Sequence, residues 1–295
     1  MRVKLKTLET KYFLLKLMVC SFVYLFLPLT LKAQENPNPQ ALPKLEIGVA
    51  FGYFHLPDYP GSDESRSRTL GLPSIVYRGE VILADREGWR GRFLKSDFYE
   101  IDLSFGASFP ARSEDNEARV GMPDLDWVGE VGPRLKLHLY KSPRRKLDLS
   151  LPVRYVFSTD IKNWHERGYV FNPEFEYRKT LGKKFSRFFG INLGFTWATE
   201  ELMDYFYEVE PRFATATRPA YDADGGYLGT NASFFLIQRL TKPLTAFVGV
   251  SKNYFSDAKN RSSPLHRDVE TESFFLGLNW TLYTQGRAGV GKPNP

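Results

Sequence analysis

Apolar and polar residues alternate along most of this 295-residue chain. From Phe98 to Pro110, Tyr99, Ile101, Leu103, Phe105, Ala107 and Phe109 share one parity, while Glu100, Asp102, Ser104, Gly106 and Ser108 share the other. Successive strand side chains point to opposite faces, so this pattern predicts a strand with one apolar and one polar face. The same rhythm returns in "LEIGVAFGYF", "WVGEVGPRLKLHLY", "LDLSLPVRYVF", "YVFNPEFEYR", "FFGINLGFTW" and "FFLGLNWTLY". Strands are predicted near 45–54, 69–78, 80–86, 89–95, 97–109, 126–139, 147–157, 168–179, 187–198, 227–240, 243–254 and 271–283. Without the short pair 80–86 and 89–95 the number falls from twelve to ten, still even.

Alternating segments of about ten residues, parted by turn residues, are the signature of a transmembrane β-barrel. A soluble sandwich also alternates. These strands, however, are long enough to cross a bilayer at a tilt, and aromatics gather at their ends (Phe51, Tyr53, Phe157, Trp197, Tyr283). Connections alternate between short ones (near 79, 95–97, 141–146, 181–186 and 241–242) and long ones (55–68, 110–125, 158–167, 199–226 and 255–270). In such barrels short turns face the periplasm and long loops face outside. The predicted fold is therefore an all-β, antiparallel, up-and-down transmembrane barrel over residues 44–283. A polar linker (34–43) precedes it and a polar tail (284–295) follows.

The chain begins with a basic stretch and the apolar run "YFLLKLMVCSFVYLFLPLTL", then "LKA" before Gln34. This reads as an export signal covering residues 1–33, with cleavage after Ala33. Cys20, the single cysteine, lies inside it, so the remainder has no thiol for a disulfide or a cysteine-based metal or redox site. Residues 1–33 also hold six Lys or Arg and one acid, which leaves 34 bases against 33 acids beyond them. The overall excess of base thus says little about nucleic acid, and no basic stripe interleaved with aromatics is present. No long apolar run follows residue 33, which excludes helical spans.

If the apolar faces meet lipid, the opposite parity lines the lumen: Glu46, Glu100, Asp102, Glu130, Arg134, Lys136, Asp148, Arg154, Glu174, Glu176 and Arg178. With both signs present, these residues suit either a selective water-filled pore or a cross-lumen network that plugs the barrel. The short turns carry Lys141, Arg144, Arg145, Lys146, Lys183, Lys184, Arg187 and Lys242, a basic collar for anionic headgroups or an acidic partner. The loop 199–226 carries Glu200, Glu201, Asp204, Glu208, Glu210, Asp222 and Asp224 instead. His55, His165 and His266 fall in or beside long loops, where they read as solvated, and His138 falls on the inward parity. No spacing specifies a nucleophile with an oriented base, so no catalytic residue, metal site or cofactor is assigned. Asp58, Asp63 and Glu64 around "DYPGSD" offer hard oxygens. They lack the spacing of a calcium loop and read as a Pro-Gly turn carrying acids.

"DYPGSD" (58–63), "PSIVYRG" (73–79), "GMPDLDWVGEVGPRL" (121–135) and the stretch from "PAYDADGGYLGTN" to "SPLHRD" (219–268) resemble the MltA-interacting protein (MipA)/OmpV family. The resemblance spans roughly residues 45–283. It implies an outer-membrane barrel; the expectation of no enzymatic activity rests on the residues themselves, which offer no nucleophile with an oriented base. The family's name-giving member implies a scaffold that brings a lytic transglycosylase to a murein synthase; other members imply a surface antigen or adhesin. A narrow channel for small solutes remains a further alternative. The chain departs from the usual barrel ending: Tyr283 closes the last predicted strand, the outward parity stops at Leu282, and "TQGRAGVGKPNP" follows.

Overall fold

The computed structural model describes residues 43–78, 82–85, 88–181 and 187–286. The expected export signal, most of the linker, Lys183, Lys184 and the tail past residue 286 lie outside the described residues. The strands are β1 (Leu45–Pro57), β2 (Ser65–Arg78), β3 (Ile82–Asp85), β4 (Gly88–Lys95), β5 (Tyr99–Ser108), β6 (Trp127–Lys141), β7 (Arg145–Thr159), β8 (Trp164–Phe171), β9 (Glu174–Leu181), β10 (Arg187–Ala198), β11 (Gly226–Arg239), β12 (Leu244–Tyr254) and β13 (Glu270–Gln285). One short helix, α1 (Glu200–Tyr207), sits between β10 and β11.

All strand pairings are antiparallel, and the ring closes where β13 pairs with β1 and β10 with β11. β8 and β9 are two halves of one wall position, since both pair with β7 on one side and β10 on the other. The barrel thus has twelve positions. The single strand expected at 168–179 breaks at Asn172–Pro173, because Pro173 has no N–H to give the ladder. Asn172 bridges the break: its Nδ2 donates to the Phe195 carbonyl at 3.0 Å and to Thr196 Oγ1 at 2.9 Å.

Three expected boundaries move. The long loop at 158–167 is instead a tall hairpin, with Thr159 paired to Trp164 across a four-residue tip. Thr159 and Asp160 stabilise that tip, accepting from Ile161, Lys162 and Asn163 backbone N–H groups. β1 and β2 also run higher than expected, to Pro57 and from Ser65. At the other rim, β13 continues to Gln285. A bulge lets Ile47 face Tyr283 while Gly48 faces Thr281. The extra residue, Leu282, resets the parity, so Tyr283 returns to the outward face and both side chains are exposed.

The outward parity is the apolar one. Phe51, Phe105, Val153, Ile191, Phe234 and Trp280 are all exposed, although each is flanked by paired strands. An exposed apolar belt of this extent is a membrane-facing surface. Aromatics border it at the long-loop rim (Trp127, Trp164, Tyr169, Trp197) and at the short-turn rim (Phe98, Tyr99, Tyr140, Tyr283), where amphipathic rings sit at headgroup level.

Leu103 belongs to the lipid belt and Ser104 to the interior, where its Oγ accepts from Arg154 at 3.1 Å. Leu103→Arg should lower barrel stability by about 2–4 kcal/mol, as arginine does near the midplane. Ser104→Ala should cost about one ordinary hydrogen bond, roughly 0.5–1.5 kcal/mol. Urea unfolding in lipid vesicles, followed by the mobility of unboiled samples, measures both.

Candidate functional site

The inward charges gather on one wall, β5 to β9. Asp102 receives Arg134 through two contacts, at 2.8 and 2.6 Å, from directly across the β5–β6 ladder. Lys136 reaches over β7 to Glu176 at 3.1 Å, and Glu176 also receives Arg178 from its own strand. His138 Nδ1 lies 2.8 Å from Asp148, which Arg178 approaches at 3.9 Å. Arg154 donates to Glu130 at 2.7 Å and to Ser104. Glu100, Asp102, Lys136, Asp148 and Glu176 are buried, and Glu174 is half-buried beside them. Glu46 stands apart from this group on β1, opposite Val76 and Thr284. Among the described residues each of these pairs joins the same, adjacent or next-adjacent strands, so this network follows one wall.

The opposite wall is aromatic, which the alternation did not reveal. Phe188, Phe235, Phe247 and Phe275 take the inward parity of β10 to β13. Three of these rings lie over cross-strand glycines: a Cβ on Gly190 would come within 2.3 Å of Phe235, one on Gly249 within 2.2 Å of Phe275, and one on Gly277 within 2.3 Å of Phe247. Only glycine lets the ring lie flat there, and the ring in turn covers backbone that glycine leaves bare. "ASFFLIQRL" is apolar on both parities, so periodicity alone picks no face.

A folded cap closes the long-loop end. α1 packs Leu202, Met203, Phe206 and Tyr207 against Tyr59, Leu125, Val128, Val156 and Leu228. These apolar residues stand at helical spacing inside a stretch noted only for its acids, so the signal was present in the sequence. Four connections hold the cap together. Tyr207 Oη donates to the Pro60 carbonyl at 2.9 Å, Tyr59 Oη to Leu265 O at 2.7 Å, and Ser263 Oγ to Tyr207 O at 2.7 Å. Arg119 donates to Phe206 O, and Arg218 ties its own loop to Ala118 O and Val120 O.

Within the cap "DYPGSD" has a structural task. The Asp58 carboxylate, fully buried, accepts from Arg66 at 2.8 Å and from Asn116 at 3.0 Å. Gly61 has φ +78° and lies against His266; a Cβ there would come within 2.5 Å of the ring. His266 overturns the expectation of a solvated loop histidine. It is buried, stacks on Tyr207 at 5.4 Å and meets Phe255 edge-on. Neither ring nitrogen has a hydrogen-bond partner among the described residues. Burial first, and then Arg261, pushes its pKa below the usual histidine value. His55 contacts Ser67 Oγ at 3.1 Å, and His165 is exposed. Ser263 is committed to Tyr207 O and forms no nucleophile–base pair with His266. Among the described residues no three His, Cys, Asp or Glu side chains converge as a metal site.

The short-turn rim is bare and basic. Lys141, Arg144, Arg145 and Lys146 sit exposed on one hairpin, and Arg145 and Lys146 pair across the ladder with Lys179 and Arg178. Asp97, 3.9 Å from Lys141, is the nearby acid. Arg187 lies further round the rim and bonds Gln238.

A closed antiparallel ring, an apolar belt between aromatic girdles and a polar interior define an outer-membrane β-barrel. Residues 47–282 match the family model described as MltA-interacting protein MipA, and the chain belongs to that family. No curated protein sequence matches the chain. Among solved structures it is similar to the NanC porin (12% identity, 80% of this chain and 100% of that one, TM-score 0.40). It is also similar to the COG4313 outer membrane channel from Pseudomonas putida F1 (15% identity, 84% and 100%, TM-score 0.40).

Breaking one partner of a buried ion pair leaves the other uncompensated, at a cost of about 3–5 kcal/mol. Glu130 and Arg154 are half-buried, so Glu130→Ala, which strips Arg154 of its carboxylate, should cost less than that range, and Glu130→Gln less again. Urea unfolding compares the two. A second expectation concerns pH. Because the His266 pKa is lowered in the fold, its contribution is fully present above 6.5 and is lost as pH falls below that value. Asp204 acts oppositely: burial and the acids Glu208 and Glu200 raise it from 3.8 to about 6, so its penalty grows as pH rises between those values. Hydrogen exchange at α1, corrected for intrinsic rates, should therefore show cap loosening below pH 6.5 in the wild type. His266→Phe should lose that loosening and keep only the opposite trend.

Proposed function

We propose that this barrel is a non-enzymatic docking platform whose periplasmic rim recruits an acidic partner. The family description carries an interaction with MltA, a lytic transglycosylase, and we extend that partner class to this chain, with a murein synthase as the second member of the assembly. The observation that supports the reading is the asymmetry of the two ends. The outer mouth is closed by a cap with its own apolar core, while the short-turn rim presents Lys141, Arg144, Arg145 and Lys146 with one acid beside them. An exposed cluster of one sign speeds encounter with a surface of the other. The same collar also suits anionic headgroups, and membrane contact and docking compete for it. Residues 1–33 fit the role as an export signal, removed before the barrel assembles.

Docking and lipid contact part company in neutral detergent, where anionic lipid is absent. Reversing Arg144, Arg145 and Lys146 to Glu should slow capture of the transglycosylase by the refolded barrel. The effect should be largest at low salt, because screening at 0.1 M acts over about 10 Å. Capture that is unchanged at every salt concentration assigns the collar to lipid and removes the docking reading.

A further inference from the structure

The barrel wall is incomplete on one side. Among the described residues β2 meets β3 only through Tyr77 and Arg78. The β3–β4 hairpin then turns back at once, Asp85 pairing with Gly88. Among the described residues Ser65 to Val76 therefore pair with no strand on that flank, and Arg68 reaches the facing bank at Pro110.

A cavity of about 450 Å³ opens at this gap, bordered by Arg66, Arg68 and Arg112 and by Asp115, Asp124 and Asp126, of which Asp115 is held by Arg66 and Asp124 by Ser113. It shares Arg68, Leu125 and Asp126 with a second, of about 230 Å³, which passes inward beside Phe109 and Phe206. That one shares Pro60, Ser108, Val128 and Phe206 with a third, which reaches Glu130, Arg154 and Asn172 beneath α1. Thr196 and Leu228 join the third to a fourth, floored by Asn231 and Asn253. The four cavities adjoin in series through these shared walls, from the side of the barrel to a chamber under the cap, and the path along them is the candidate passage.

We propose that this passage admits small anionic solutes through the barrel wall, with Arg68 as the cation that recognises them. The inference is independent of docking at the opposite rim. The charges along the passage are unequally occupied. Arg66 already holds Asp58 and Asp115. Arg154 is held by Glu130 and Ser104. Among the described residues Arg68 makes no direct ion pair; the Asp58 carboxylate, held by Arg66, acts on it only from further off. One of its nitrogens donates to Pro110 O at 2.9 Å, and the guanidinium lies 5.1 Å over the Phe109 ring. A guanidinium has five N–H donors in a fixed fork, so Arg68 keeps donors for a carboxylate, sulfonate or phosphate. Asp126 borders the same mouth and disfavours multiple negative charge. The fitting solute is a monoanion with a neutral polar body, which the Asn172, Asn231 and Asn253 amides would meet further in.

A reporter thiol tests this without knowledge of the natural solute. In the Cys20→Ser background, Thr196→Cys places a thiol between the third and fourth cavities. Its labelling by a sulfonate-bearing methanethiosulfonate is compared with that by a trimethylammonium-bearing one, each normalised to a free thiol. The sulfonate reagent should label faster, and Arg68→Gln should erase that preference. Ser108→Trp, at the neck between the second and third cavities, should slow both reagents by about tenfold or more, a barrier rise of about 1.4 kcal/mol. Val128→Phe, which lines both the second and the third cavities, replaces it if the tryptophan variant fails to show the mobility of a folded barrel. A folded barrel whose Thr196→Cys thiol is unreactive overturns the proposal. So does unchanged labelling with the neck filled, or a charge preference that survives Arg68→Gln.

Discussion

Every backbone N–H and C=O within a bilayer must find its partner inside the protein, and the closed antiparallel ladder meets that demand here. The β13–β1 and β10–β11 pairings are the seams that remove both edges. Where the ladder lapses, beside Ser65 to Val76 of β2, side chains take over at the long-loop end. Arg66 ties β2 to Asp58 and Asp115, and Arg68 ties it to Pro110 O. These bonds join two stretches of wall that no strand connects, so the cap loops act as mortar as well as lid.

Once the ring is closed, the period-two pleat divides every strand between lipid and interior. The interior of a twelve-position barrel is too wide for the side chains of a small barrel to fill and narrower than a porin channel. This chain treats its two halves differently. The β5–β9 wall carries buried ions that neutralise one another along the wall, each within reach of a neighbour. The β10–β13 wall carries rings laid over glycine. The first arrangement keeps charges from facing a bare lumen unpaired; the second gives a smooth apolar surface without strain at φ or χ. An interior with a charged half and an aromatic half can hold a molecule that has both characters.

How much of this was legible depended on which physical signal each part leaves in the sequence. The outward set, such as Tyr99 to Ala107 on β5 or Phe189 to Trp197 on β10, leaves strict alternation, and its faces emerged as read. Twelve wall positions also emerged, although Pro173 splits one of them and Thr159 to Trp164 turn an expected loop into a hairpin. The C-terminal parity problem had a physical answer that periodicity cannot supply, a one-residue bulge at Leu282. Phe235, Phe247 and Phe275 were missed because their neighbours are apolar too. His266 was misread because burial of a loop residue depends on four distant loops meeting. Those loops carry the apolar i, i+1, i+4, i+5 set of α1, so the cap was foreshadowed there and nowhere else.

The two ends of the barrel then follow from what each rim does with its apolar residues. At the outer end, Leu202, Met203, Phe206, Tyr207 and Leu265 turn inward, and the acids of α1 are left on the surface. That end is an acid-rich dome whose loops are bound to one another by backbone-directed hydrogen bonds from Tyr59, Tyr207, Arg119 and Arg218. At the other end the turns are too short to fold over the opening, and only long basic side chains project from the hairpin at 141–146. A short turn cannot build a buried interface alone. Contact there must depend on charge and on the partner's own shape, which favours fast, salt-sensitive association over tight capture. A solute route that enters through the wall leaves that rim free for docking, so the two activities need not compete for the same opening.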